Sequence, residues 1–161
     1  MAKGQAERLL PMIQEMMDEA GIGWPDIARI HVGTGPGNFT GIRISVALAR
    51  GLALGLGVPA LGVTGFQARG QSISVPDYWV TIPAPRDQIY VQRQGQAAAV
   101  LDRSDFDSMG VPVFEFTDLT ADDLVLAIAH CLGNAVTRPA PFYLRAADAL
   151  PSSDPPPVIF A

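Results

Sequence analysis

At 161 residues the chain is long enough for one domain with a real core, or a domain and an appendage, but not for two full domains. Its net charge of −5 comes without any basic run, so direct, unaided binding to a nucleic-acid phosphate backbone is not expected. Nearly half of the residues are apolar and 17% are charged, oily for a soluble monomer, so part of the surface is expected to meet another protein.

A single cysteine, Cys131, allows no internal disulfide, and no charged-then-apolar leader opens the sequence, so a cytoplasmic location is expected. The longest oily stretch, Ile44 to Val63, is interrupted by Arg50 and Pro59 and falls short of a clean membrane span of about 20 apolar residues. No membrane role is expected.

In chain order, "QAERLLPMIQEMMDEA" places Leu9, Met12, Ile13, Met16 and Ala20 at steps of three and four, which predicts an amphipathic helix over 5–20 with Gly21 as its stop. Pro11 is tolerated in a first turn and bends the helix anywhere later. "GIGWPD" reads as a turn and "ARIHV" as a short buried strand. A glycine loop follows, and then a helix over 41–56 for which Thr40 can serve as cap. This second helix is apolar almost all round, so both of its sides must be covered, either within the chain or by a subunit contact. Ala47, Gly51 and Gly55 recur every four residues and form a shallow ridge that another helix can approach closely.

"ALGVTG", "WVTIP", "QIYVQRQ" and "VPVFEF" read as further strands, with "GQAAAVLD" able to pair back beyond Gly95 and "FQARG" as a short helix or loop. "TADDLVLAIAHCLG" predicts a helix capped by Thr120, with Asp122 and Asp123 at its positive end and Gly133 closing it. Residues 1–138 are expected to form one small α/β domain with a mixed sheet, and 139–161 a proline-rich extended tail lying over it.

The segment "GTGPGNFTGIR" raises the question of a phosphate cradle, because backbone N–H groups at a helix start face an anion. Its candidate residues are Gly33, Thr34, Gly35, Pro36, Gly37, Asn38, Thr40, Gly41 and Arg43. No Lys-Ser or Lys-Thr follows the last glycine, which excludes a P-loop, and Asn38 stands where a dinucleotide fingerprint has its third glycine. A cation at Arg43 in the first helical turn opposes the macrodipole at about 0.3–1 kcal/mol, so an acidic side chain, an anionic ligand or a partner's carboxylate should offset it. A structural corner and an anion site both stay open on the residues alone.

Taken in order, "GQAERLLPMI", "VGTGPGNFTGIRISVALARGLALGLGVPALGVTG", "QIYVQ" and "PFYLRAADALP" resemble the bacterial TsaB family, formerly YeaZ, proteins of tRNA threonylcarbamoyladenosine biosynthesis once filed with glycoproteases. The resemblance implies an actin/Hsp70-like, RNase H-like (ASKHA) half-domain and a non-catalytic scaffold subunit. Such a subunit pairs with TsaD, and with TsaE, for threonylcarbamoylation of adenosine 37 in tRNA, and meets tRNA only through that complex. It also implies a homodimer through the first two helices when TsaD is absent. The residues assigned to this partner face are Leu9, Met12, Ile13, Met16, Ile42, Val46, Ala47 and Arg50.

Departures from the family pattern are specific. Family members begin with a β-hairpin carrying an Asp-Thr-Ser type segment; this chain is expected to be truncated before it, leaving "ARIHV" with an unpaired edge. Gln5 replaces a usual histidine, and Pro83 and Pro85 replace an acid and an arginine.

Competing chemistries are weak. The two histidines, His31 and His130, lack metal-ligand spacing, and His130 and Cys131 are consecutive and diverge by about 100° on a helix. "DRSDFD" and "DLTADD" read as surface loop and helix cap, Met12, Met16 and Met17 as core or adaptable contact, and Tyr90 and Tyr143 as packing. No catalytic residue, metal or cofactor is expected. The alternative is a nucleotide-binding enzyme of the ASKHA class, which would hold ATP at the Gly33 to Gly41 loop.

Overall fold

A computed structural model describes residues 4–115, 120–131 and 138–145. Helix α1 spans Gln5–Ala20 and stops at Gly21, whose left-handed φ of 66° lets its N–H reach Asp18 O while Ile22 N–H reaches Met17 O. Pro11 lies in the second turn rather than the first, so the Glu7 carbonyl loses its helical donor. Met17 is the one α1 residue fully buried; Met12, Met16 and Leu10 stay exposed.

After a single tight turn at Trp24–Asp26, strand β1 (Ile30–Gly33) pairs in parallel with β2 (Ala60–Val63). The crossover between them is helix α2, Phe39–Leu56. Asn38, not Thr40, caps α2: its side-chain oxygen accepts from Gly41 N–H at 2.8 Å, so the helix begins two residues earlier than its composition suggests. Gly57, at φ 69°, ends it. Ile42, Val46, Ala49 and Ala53 make the inward stripe, three of them clustering with Val32. By length and hydropathy alone α2 is long and apolar enough to cross a membrane, but this stripe is committed to β1.

Thr64 and Gln67 form a reciprocal capping box that starts the short helix α3 (Gly65–Gly70). Strands β3 (Trp79–Pro83), β4 (Gln88–Arg93), β5 (Ala99–Asp102) and β6 (Val113–Glu115) build a second sheet in the order β5-β4-β3-β6. Its β3–β6 pair is parallel and the rest antiparallel, so the sheet is mixed. Phe66 of α3 packs on its inner face with Tyr78, Val80, Ile82 and Tyr90. Helix α4 (Ala121–His130) carries the expected Thr120 cap, and Ala127 and Ile128 cover Val63, Ala68 and Cys131. The expected stop at Gly133, and 146–161 of the expected tail, lie outside the described residues.

Residues 138–145 are built into the body. Pro139 is buried against Gly62, Phe142 N–H donates to Thr34 O at 2.8 Å, and the Phe142 ring meets Phe66 edge-on.

Candidate functional site

The glycine loop turns the chain from the end of β1 into α2. Thr34 N–H donates to Val63 O at 2.9 Å and Gly65 N–H to Gly35 O at 2.7 Å, so both strand ends are stitched to the loop. Gly35 has φ +106°, and a Cβ there would sit 2.7 Å from Ile42 Cδ1 and 3.0 Å from Phe142 O. Only glycine fits that position. The proline that follows is in the cis form.

Beyond Gly35, Pro36 to Thr40 form one side of a cleft of about 390 Å³, faced by Pro85, Tyr90 and Phe142 to Arg145. Phe39 stacks on Tyr143 with ring centroids 4.6 Å apart. Arg43 lies over the other partner of that pair, 5.4 Å from the Phe39 centroid. The expected acidic neighbour of Arg43 is not found among the described residues. Because α2 starts at Phe39, Arg43 is its fifth residue and stands past the turn where the macrodipole is felt, so an aromatic face suffices.

The cleft's walls carry no carboxylate, and the Gly41 N–H that would face an anion is taken by Asn38. Thr34 is buried and Gly33 belongs to β1. Among the described residues no group of three or more His, Cys, Asp or Glu side chains could hold a metal ion. His31 Nδ1 is bonded to Ile128 O at 3.0 Å and His130 Nδ1 to Leu126 O at 2.8 Å, so each ring is tied to a helix carbonyl. Burial pushes the Cys131 thiol up, opposed by a bond from Gln71, which disfavours the thiolate.

The eight residues assigned to a partner face divide into three groups. Ile42 and Val46 are corrected: both are buried on Val32, Val46 at 2% exposure, and neither reaches the surface. Leu9 and Ile13 are half-buried and turn toward a groove beside β1. Met12 and Met16 on α1, and Ala47 on α2, are exposed, while Arg50 is half-buried beside Leu54 and Arg138.

The sequence reading missed Leu54, which is 85% exposed. It lies one turn beyond Gly51 and Arg50, and a side chain added at Gly51 or Gly55 would meet no atom within 4 Å of its Cβ. This outward stripe is apolar, flat and open. The signal was present in the four-residue recurrence of small residues, but which stripe faced out was not.

The parallel β1–α2–β2 unit, the glycine corner and the mixed sheet make an α/β protein, and the match to solved YeaZ structures makes its fold ASKHA-like. A family model described as TsaD, tRNA N6-adenosine threonylcarbamoyltransferase, matches residues 1–141, and the chain belongs to that family. Within it, the chain is 42% identical over 65 residues to the tRNA threonylcarbamoyladenosine biosynthesis protein TsaB of Escherichia coli, a stretch covering 40% of this chain and 28% of that protein. It is 30% identical over 82 residues to the tRNA N6-adenosine threonylcarbamoyltransferase of Erythrobacter litoralis, 51% of this chain and 24% of that one. The matches thus span less than a third of these relatives' own length. The solved structure of YeaZ from Pseudomonas aeruginosa superposes with a TM-score of 0.62 at 26% identity, over 87% of this chain and 85% of that one.

Proposed function

We propose that this chain is a non-catalytic subunit in the making of threonylcarbamoyladenosine in tRNA, and that it acts in the cytoplasm by docking on the transferase TsaD, with TsaE as a further member of the assembly. The observation that carries this reading is the outer face of α2. Leu54 stands almost wholly in water beside Gly51 and Gly55, whose missing side chains leave the helix backbone open to a second helix. Met12 and Met16 add exposed, adaptable apolar surface on α1. In the absence of TsaD the same surfaces would pair two copies of the chain, and tRNA would be met only through the assembly. The relatives named TsaB support the process, and the family's transferases supply the natural partner.

A second reading has one observation in its favour, the cleft at the start of α2, which would place a nucleotide's phosphates near the Phe39 and Thr40 amides. The cleft's lining offers such a ligand no carboxylate to hold a magnesium ion.

Mixing the chain with purified TsaD on a sizing column, in parallel with an ATP titration by calorimetry, separates the two. Co-elution with no heat supports the scaffold. Tight ATP binding by the isolated chain, with no co-elution, overturns it.

A further inference from the structure

Between Asp26 and Asp77 the sequence has no acid, yet it carries Arg29, Arg43, Arg50 and Arg69 in a chain whose net charge is −5. The β1–α2–β2 unit with α3 is therefore a cationic part of an acidic protein. On α2, Arg43, Arg50 and Leu54 follow at steps of seven and four, which puts all three on one side of the helix. Arg43 is occupied by the Phe39 ring. Arg50 has no acidic partner among the described residues.

Arg50 and Leu54 border a groove of about 630 Å³ between the second half of α2 and the segment that begins at Arg138. Val58, Ala60 and Pro139 give it an apolar lining, Arg138 gives it a second positive charge, and no carboxylate lines it. Arg138 is exposed, but its backbone is pinned. Pro139 is buried with its Cα 3.3 Å from where a Gly62 Cβ would stand, and Phe142 N–H donates to Thr34 O three residues on. Like Arg50, Arg138 has no acidic partner among the described residues. Ala60 opens β2, so the groove lies across β1 from the edge that a preceding hairpin would pair.

In water two neighbouring guanidinium groups are screened and cost little. Covering Leu54 changes that. A helix laid over Leu54 also takes the water from the groove, and two positive charges left there without a counter-charge oppose docking, whereas a carboxylate shared by both favours it. A second copy does not supply that carboxylate through the same face. In a two-fold pair the patch meets itself, so Arg50 and Arg138 of both copies converge on one place.

We infer that Arg50 and Arg138 together hold an Asp or Glu side chain of the partner helix that docks on α2, and that the same two charges weigh against pairing of two copies. The inference rests on the proposed docking and adds to it the chemistry the partner must bring beside Leu54. It also brings the closing segment, through Arg138, into an interface otherwise built from the first two helices. Selectivity then comes from attraction to one partner and repulsion of another.

The test is calorimetry of purified TsaD against the native chain, Arg50→Gln, Arg138→Gln and the double variant, with Arg103→Gln on the second sheet as a control of equal charge change. With melting temperatures unchanged, each single variant should weaken binding by about fivefold or more and the double variant by about 20-fold or more, while the control binds as the native chain does. The double lysine variant, which keeps both charges, should bind about tenfold more tightly than the double glutamine one. Raising sodium chloride from about 50 to about 500 mM should weaken native binding and leave that of the double glutamine variant nearly unchanged. In sedimentation equilibrium of the chain alone, the double glutamine variant should self-associate about threefold or more tightly than the native chain. A folded double glutamine variant that binds TsaD as tightly as the native chain overturns the inference and leaves the docking reading standing. Failure of the native chain to bind TsaD overturns both. Self-association that is unchanged or weaker in the double glutamine variant also overturns the inference, as does binding of tRNA by the chain alone that this variant abolishes, which would assign the arginines to phosphate.

Discussion

Arg43 rests on the face of Phe39, 5.4 Å from the ring centroid, and Phe39 in turn stacks on Tyr143 from the far end of the described chain. One aromatic ring therefore joins the start of α2 to the segment that closes over the glycine corner. The two interactions differ in weight. An exposed cation–π contact contributes about 0.5–1 kcal/mol, whereas losing the ring also removes a stacked pair and its burial. Arg43→Ala should lower stability by no more than about 1 kcal/mol and Phe39→Ala by about 2–3 kcal/mol. Urea unfolding of both variants checks the order; equal losses would mean the stack is not the joint.

Two glycines make opposite predictions. At Gly35 the backbone is left-handed and a Cβ would collide with Ile42 Cδ1 and Phe142 O, so Gly35→Ala should destabilise by about 2–4 kcal/mol. At Gly51, in mid-helix with open space around it, Gly51→Ala should stabilise by about 0.5–1 kcal/mol. The same methyl fills the groove that a partner helix needs, so a more stable protein should pair less well. Thermal melting together with a pairing assay checks both halves.

Acid stability depends on carboxyls held below their usual range. Asp77 is lowered first by hydrogen bonds from Arg93, one of them at 2.7 Å, and secondarily by the guanidinium charge. Asp123 is lowered by the hydroxyl and N–H of Thr120. Between the ordinary carboxylate value of about 4 and the depressed one, the unfolded chain binds a proton that the folded chain does not. Their stabilisation is therefore complete above about pH 4 and is lost as pH falls through the depressed values. Asp77→Asn should flatten the dependence of stability on pH in that acid window. An unchanged acid transition would show that the Arg93 pair is screened by solvent.

Most of the elements were legible in the sequence. The steps of three and four in α1, the stop at Gly21 and the cap at Thr120 specify local structure by local chemistry, and the structure follows them. The start of α2 was not legible. Asn38 and Thr40 are both good caps, and only the folded backbone shows that the Asn38 side chain is the one that accepts from Gly41 N–H. The facing of α2 was hidden for a similar reason. Val46 and Leu54 are equally oily, so periodicity cannot rank them; contact with Val32 in β1 turns one inward and leaves the other in water. The need for an acid inside the chain to offset Arg43 was overstated because its distance from the helix start was counted from Gly41 rather than from Phe39.

The central claim is that the outer face of α2 docks on TsaD, and calorimetry of TsaD against the native chain, Leu54→Asp and Val46→Asp tests it directly. Leu54→Asp should keep its melting temperature and weaken binding by about 30-fold or more, the loss of a central contact of 2 kcal/mol or above. Val46→Asp, with its charge driven into the core, should fail to fold and so fail to bind. A folded Leu54→Asp protein that binds TsaD as tightly as the native chain would contradict the account.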